Sequence, residues 1–155
     1  MRNLKLFYRG IMTFGEYLQS TFLLIVRLFW GYNFFQAGWG KLQDVSRVTP
    51  FFEQLGIPFP ELSVYLTGLT ESICGLLLLF GLASRLAAIP LIIVMVVAYL
   101  TAHIDSVTNI LSDPDNFIKQ DPFTYLLASL LVFIFGPGKI SLDYIIGRWF
   151  KEKMD

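Results

Sequence analysis

The sequence predicts an all-α membrane protein: a transmembrane four-helix bundle with an interfacial segment after the first helix and an amphipathic helix near the C-terminus. Three observations carry that prediction. Hydrophobic residues make up 55% of the chain and charged residues 15%, where soluble domains run at roughly 45–50% and about 25%. Aromatic residues reach 16%, with 15 phenylalanines. Four apolar segments also approach the roughly 20 helical residues needed to cross a hydrocarbon core of about 30 Å.

The first of these segments runs from Gln19 to Gly40. It follows a basic stretch with Arg2, Lys5 and Arg9 (residues 1–18), and no small-residue cleavage signal comes after it, so it reads as a retained anchor. Residues Val48 to Pro60 mix aromatics with Pro50, Pro58 and Pro60, which suits a segment lying at the interface. The second apolar segment spans Leu62–Leu82 and the third Leu86–Ala102. Only Ala83-Ser84-Arg85 separates them, which makes them antiparallel neighbours.

From Asp105 to Asp121 the chain carries Asp105, Asp113, Asp115 and Asp121 against Lys119, and Asp113-Pro114-Asp115-Asn116 reads as a turn. The fourth segment, Pro122–Phe135, is the shortest. It starts on a proline suited to a helix N-terminus and stops at Gly136-Pro137-Gly138. Ile140 to Phe150 alternates apolar and polar residues with helical spacing. Trp149 and Phe150 beside Lys151 and Lys153 fit a helix lying on a membrane surface. The main unit is thus residues 19–150, with 151–155 as a tail.

Lys and Arg set the orientation. They gather at the N-terminus, at Arg85 and at the C-terminus (Lys139, Arg148, Lys151, Lys153), leaving Lys41, Arg47 and Lys119 for the long links. Both termini are therefore predicted to be cytoplasmic in a bacterial inner membrane. Twelve basic residues balance twelve acidic ones, so no basic field points to nucleic acid. A single cysteine, Cys74, and a single histidine, His103, argue against a disulfide, a multi-cysteine cluster or a two-histidine haem within one chain. No metal site is expected.

Charges inside spanning helices cost at least about 2.5–3.5 kcal/mol each, which makes them functional candidates by default. Arg27 lies in the first helix and Glu71 near the middle of the second. Counted from the cytoplasmic side their depths match and their signs are opposite, so a buried Arg27–Glu71 ion pair is predicted. With a 3.6-residue period, Arg27, Gly31, Phe34, Gly38 and Lys41 share one face, as do Thr67, Glu71, Gly75 and Leu78. Ile92, Val96, Tyr99 and His103 align similarly on the third helix. The small residues on the first two faces suit close helix contact in a membrane.

The ligand or proton-site candidates are therefore Arg27, Glu71, His103, Lys41 and Tyr99, with Trp30, Phe34 and Trp39 as pocket-lining candidates. A structural reading stands beside this one. The Arg27–Glu71 pair also works as a bolt fixing helix register, His103 as a helix-end cap, and Lys41, Trp39 and Tyr99 as ordinary interfacial residues.

Four stretches in order carry a family resemblance: FFQAGWGKL after an arginine, LGIPFPEL, LTESICGLLLLFGLASRLAA and a third helix ending YLTAH. The chain resembles the DoxX family of small four-helix membrane proteins over roughly Gln19 to Phe150. The family's Arg, Lys, Glu and His positions map onto Arg27, Lys41, Glu71 and His103.

The resemblance implies an accessory role in a quinone-linked membrane oxidoreductase or an oxidative- or metal-stress system. The family takes its name from a subunit of an archaeal terminal quinol oxidase. Quinone is the cofactor it suggests, with electrons handled by a partner redox subunit. The tail, with DPFTYLL and GPGKISLDYIIGRWF, is similar to a bacterial subgroup associated with copper-binding bufferin peptides. That similarity implies an alternative role as a non-enzymatic platform for peptide maturation. A small transporter, completed by homo-oligomerisation, is the third reading.

Overall fold

A computed structural model describes residues 2–152, with side chains described for 7–149. Residues 153–155 of the predicted tail, including Lys153, lie outside the described residues, as do the side chains of Arg2, Lys5, Phe150 and Lys151. Every regular element described is a helix: α1 (Arg2–Gln43), α2 (Val45–Gln54), α3 (Pro60–Phe80), α4 (Ser84–Ala102), α5 (Ile104–Thr108), α6 (Pro114–Lys119), α7 (Asp121–Phe135) and α8 (Leu142–Glu152).

The four predicted apolar segments fall on α1, α3, α4 and α7. Helix α1 packs on α3, α3 on α4, α4 on α7 and α7 back on α1, which closes a ring around Phe34, Leu78, Leu91, Met95 and Val132. Helices α3 and α4 are long and apolar enough to cross a membrane, and α7 is apolar but shorter.

Glycines set the α1–α3 seam. A Cβ on Gly31 would sit 2.8 Å from the Leu79 amide nitrogen, and one on Gly38 would sit 2.5 Å from the Gly68 carbonyl and the Ser72 nitrogen. On the facing helix, a Cβ on Gly75 would lie 2.7 Å from the Phe35 nitrogen. Backbone therefore meets backbone along an antiparallel register, as small-residue interfaces in membranes permit. The face Arg27–Gly31–Phe34–Gly38 is buried throughout, in line with its predicted inward orientation.

Three expectations are corrected. Gln19 is not a helix boundary, because α1 is continuous over 42 residues, about 63 Å at 1.5 Å per residue. Residues 7–19 are exposed, and packing begins at Ser20. The inward face of α4 is Ala88, Leu91, Met95 and Tyr99, whereas Val96 is 40% exposed. The Asp113–Asn116 stretch starts a helix instead of forming a free turn. Asp113 caps α6 by accepting the Asn116 N–H at 3.2 Å, and Pro114 follows at the first position, where its missing N–H costs nothing.

The predicted interfacial segment takes in the last seven residues of α2, a helix that starts three residues earlier and is capped by the Asp44 carboxylate on the Arg47 N–H at 3.1 Å. The tight link between α3 and α4 runs through Gly81 (φ 70°) and Ala83 (φ 47°). The left-handed backbone at Gly81 is natural for glycine, whereas Ala83 carries a steric cost.

Candidate functional site

Arg27 is 1% exposed, yet it does not meet Glu71. Its Nη2 donates to the Ile140 carbonyl and its Nη1 to the Leu78 carbonyl at 3.4 Å, while Nε makes no hydrogen bond. The glycine register explains this. Arg27 lies level with Gly81, where a Cβ would collide with the guanidinium. Ten residues of α3 separate Gly81 from Glu71, about 15 Å along the axis. The matched depths were an artefact of counting α1 from Gln19.

Around Arg27 the turn end of the bundle is stitched to the C-terminal segment. The Asp143 carboxylate accepts the N–H of Ala83 at 2.6 Å and of Ser84 at 2.9 Å, serving as a remote cap for α4. The Asp143 N–H donates to the Gly81 carbonyl at 2.9 Å.

Glu71 pairs with Lys41 instead, Nζ to Oε2 at 2.5 Å, with side chains 4% and 23% exposed. Lys41 sits one turn beyond Ala37, the α1 residue level with Glu71, so a lysine stem reaches back to the carboxylate. Pairing is what makes a carboxylate tolerable at this depth.

The pair borders a cavity of about 690 Å³, within the usual range for small-molecule sites. Residues of α1, α2, α3, α4 and α7 form its wall, which is mostly apolar, and His103, Asp121 and Tyr125 join Lys41 and Glu71 in its polar lining. Leu66, Ile93 and Val97 line it too and are 57%, 57% and 44% exposed. The mouth therefore opens between α3 and α4 on an apolar rim. Pro90 lacks an N–H and so removes one donor from the α4 ladder just before the stretch that walls the cavity.

The structure thus brings Lys41, Glu71 and His103 to one cavity and leaves the other predicted site residues off its wall. Tyr99 is 3% exposed. Its hydroxyl donates to the Phe117 carbonyl at 2.8 Å and its ring stacks on Phe117 at 4.4 Å, tying α4 to α6. Phe34 is fully buried in the core, and Trp30 packs edge-on against Tyr125 at 4.8 Å. Trp39 stacks on Phe35 and is 50% exposed.

Two titratable cavity residues escaped the sequence reading as site members, Tyr125 and Asp121. Their i, i+4 spacing at the start of the shortest span was the available signal.

The DoxX profile matches residues 22–104, which include Arg27, Lys41, Glu71 and His103. A membrane protein of Mycobacterium tuberculosis, Rv3486, is 33% identical over 78% of this chain and 78% of its own length. The inner membrane protein YqjF of Escherichia coli is 27% identical over 84% of this chain and 96% of its own. CatD of Bacillus subtilis, whose name marks it as a candidate oxidoreductase, is 27% identical over 77% of this chain and 83% of its own. No solved structure matches. The family profile and the length of shared sequence agree with the four stretches that first suggested the family: the chain belongs to the DoxX family of membrane proteins.

Proposed function

We propose that this chain is a four-span inner-membrane protein with cytoplasmic termini, serving as an accessory subunit of a quinone-linked membrane oxidoreductase, and that a quinone-class headgroup occupies its cavity. The observation that carries this reading is the cavity: apolar walls, an apolar mouth between α3 and α4, and a buried ion pair with His103, Tyr125 and Asp121 at its polar lining. A lipid-soluble molecule with a flat, weakly polar head enters such a mouth from the bilayer without crossing water. The oxidoreductase name carried by CatD agrees with it. Helices α1 and α7 complete the span count in this reading, because each packs along a helix long enough to cross.

His103 brings an imidazole to the cavity wall. Electrons pass to a redox centre on a partner subunit. The headgroup position anticipated among Trp30, Phe34 and Tyr99 moves to the cavity, since those side chains are engaged in packing. The test is direct: protein purified in native lipid carries quinone, and its deletion lowers quinone-linked oxygen uptake. Quinone-free protein together with unchanged respiration would overturn the reading.

A second reading, a non-enzymatic platform in a copper-peptide (bufferin) system, draws on Arg27, whose contacts are those of a structural clasp. Under it, a Lys41→Met, Glu71→Gln double variant restores copper tolerance to a deletion strain. Under the quinone reading that variant is inactive.

A further inference from the structure

Helix α1 runs well past the bundle it belongs to. Its 42 residues make it about 63 Å long, roughly twice the thickness of a hydrocarbon core. Packing begins only at Ser20. In the exposed stretch before it, Phe7, Ile11, Phe14 and Leu18 fall at spacings of four, three and four. Thr21, Ile25, Leu28 and Tyr32 carry the same alternation unbroken into the packed length of the helix. A sustained 3.5-residue apolar repeat is the pattern by which two helices wrap along a common seam.

The stripe faces away from its own subunit. Ser20, Arg27 and Phe34 are buried on the opposite side of α1, against the rest of the bundle. Arg9 and Glu16 share that opposite side in the extension, and Glu16 reaches Lys139 of the same chain at 3.8 Å. Gly10 and Gly15 flank the seam, and a Cβ on either would meet nothing within 4 Å, which leaves room for a second helix to come close.

The seven apolar side chains of the stripe are 46% to 68% exposed. At roughly 100 Å² each they offer about 700 Å² per chain. A symmetric pair thus buries about 1,400 Å², above the roughly 1,000 Å² of a biological interface. Lipid competes for the side chains within the bilayer, so Phe7 to Leu18, beyond the packed bundle, supply the drive. No proline interrupts α1, so the extension continues the axis of the packed part instead of turning onto the bilayer surface.

We propose that α1 pairs with α1 of a second copy of this chain, parallel and in register, along this stripe. Copies inserted in one orientation present α1 in parallel, and the same stripe on both sides makes the contact two-fold and closed. The pairing is independent of what occupies the cavity, whose mouth between α3 and α4 it leaves uncovered.

The experiment is oxidative cross-linking of the full chain in native membranes, with Cys74→Ala removing the native thiol. Phe14→Cys and Leu18→Cys form disulfides between copies, and Thr13→Cys and Glu16→Cys, off the seam, form at least about tenfold less. Light scattering of the solubilised wild type gives the mass of two chains. Ile11→Glu with Phe14→Glu halves that mass and leaves the helical circular-dichroism spectrum intact, because both side chains are exposed within the subunit. A one-chain mass for the wild type, equal cross-linking on and off the seam, or a two-chain mass that survives both glutamates overturns the pairing. So does quenching of a fluorophore on Phe14→Cys by nitroxide-labelled lipid, which would put the stripe on the bilayer surface.

Discussion

Replacing Lys41 with methionine removes the partner of a carboxylate that is 4% exposed. Breaking a buried pair from one side costs about 3–5 kcal/mol, because the remaining charge is left uncompensated. Lys41 is itself 23% exposed and the cavity admits polar contact, so the lower end applies, about 3 kcal/mol. For a chain of this size that is a fall of roughly 6–12 °C in Tm.

Glu71→Gln leaves a lysine that can extend toward solvent, and it costs less, about 1–2 kcal/mol. The double variant carries no uncompensated charge and recovers part of the first loss, giving a coupling of about 2 kcal/mol. The assay is thermal unfolding in detergent with a thiol-reactive dye, because the single half-buried thiol, Cys74, becomes reactive on unfolding. An unchanged Tm in Lys41→Met, or a double variant equal to the sum of the singles, would refute the pairing.

Further outcomes follow from the same geometry. Arg27→Met lowers stability on its own, but its effect adds to that of Glu71→Gln within about 0.5 kcal/mol, measured by the same unfolding cycle. A large coupling would restore the Arg27–Glu71 pair. Gly38→Ala drives a methyl into the Gly68 carbonyl and Ser72 nitrogen and forces α1 from α3, whereas Gly40→Ala meets nothing within 4 Å and leaves Tm unchanged. Asp143→Ala removes the cap from α4 and costs about 1 kcal/mol, with faster proteolysis near the α3–α4 turn as the second readout.

Composition and apolar run length made the helices legible. They could not show where α1 begins, because residues 7–19 are exposed and mix apolar side chains with Arg9 and Glu16, resembling a basic tail as much as a helix. That one boundary moved the inferred depth of Arg27. Its partners were illegible for another reason: they are the carbonyls of Leu78 and Ile140, and a backbone acceptor leaves no mark in side-chain sequence. Glu71 was visible as an out-of-place charge and Lys41 as a site candidate nearer the interface, but choosing between two cations required the glycine seam. Read as a register marker, the spacing of Gly31 and Gly38 against Gly68 and Gly75 would have favoured Lys41.

The same seam accounts for the asymmetry of the bundle. At the α3–α4 turn end, glycine contact is tight, and Arg27 and Asp143 bind backbone groups of three segments. Toward the other end α1 and α3 stay in contact through Gly38 and Gly68, while α3 and α4 part around the cavity. A buried charge satisfied by backbone, as at Arg27, has little freedom to serve a ligand without unlatching the fold. A buried charge satisfied by another side chain, as at Glu71, can exchange its partner when a ligand enters. The two candidate charges of the sequence therefore separate by the kind of partner each holds: backbone carbonyls for Arg27 and the Lys41 side chain for Glu71.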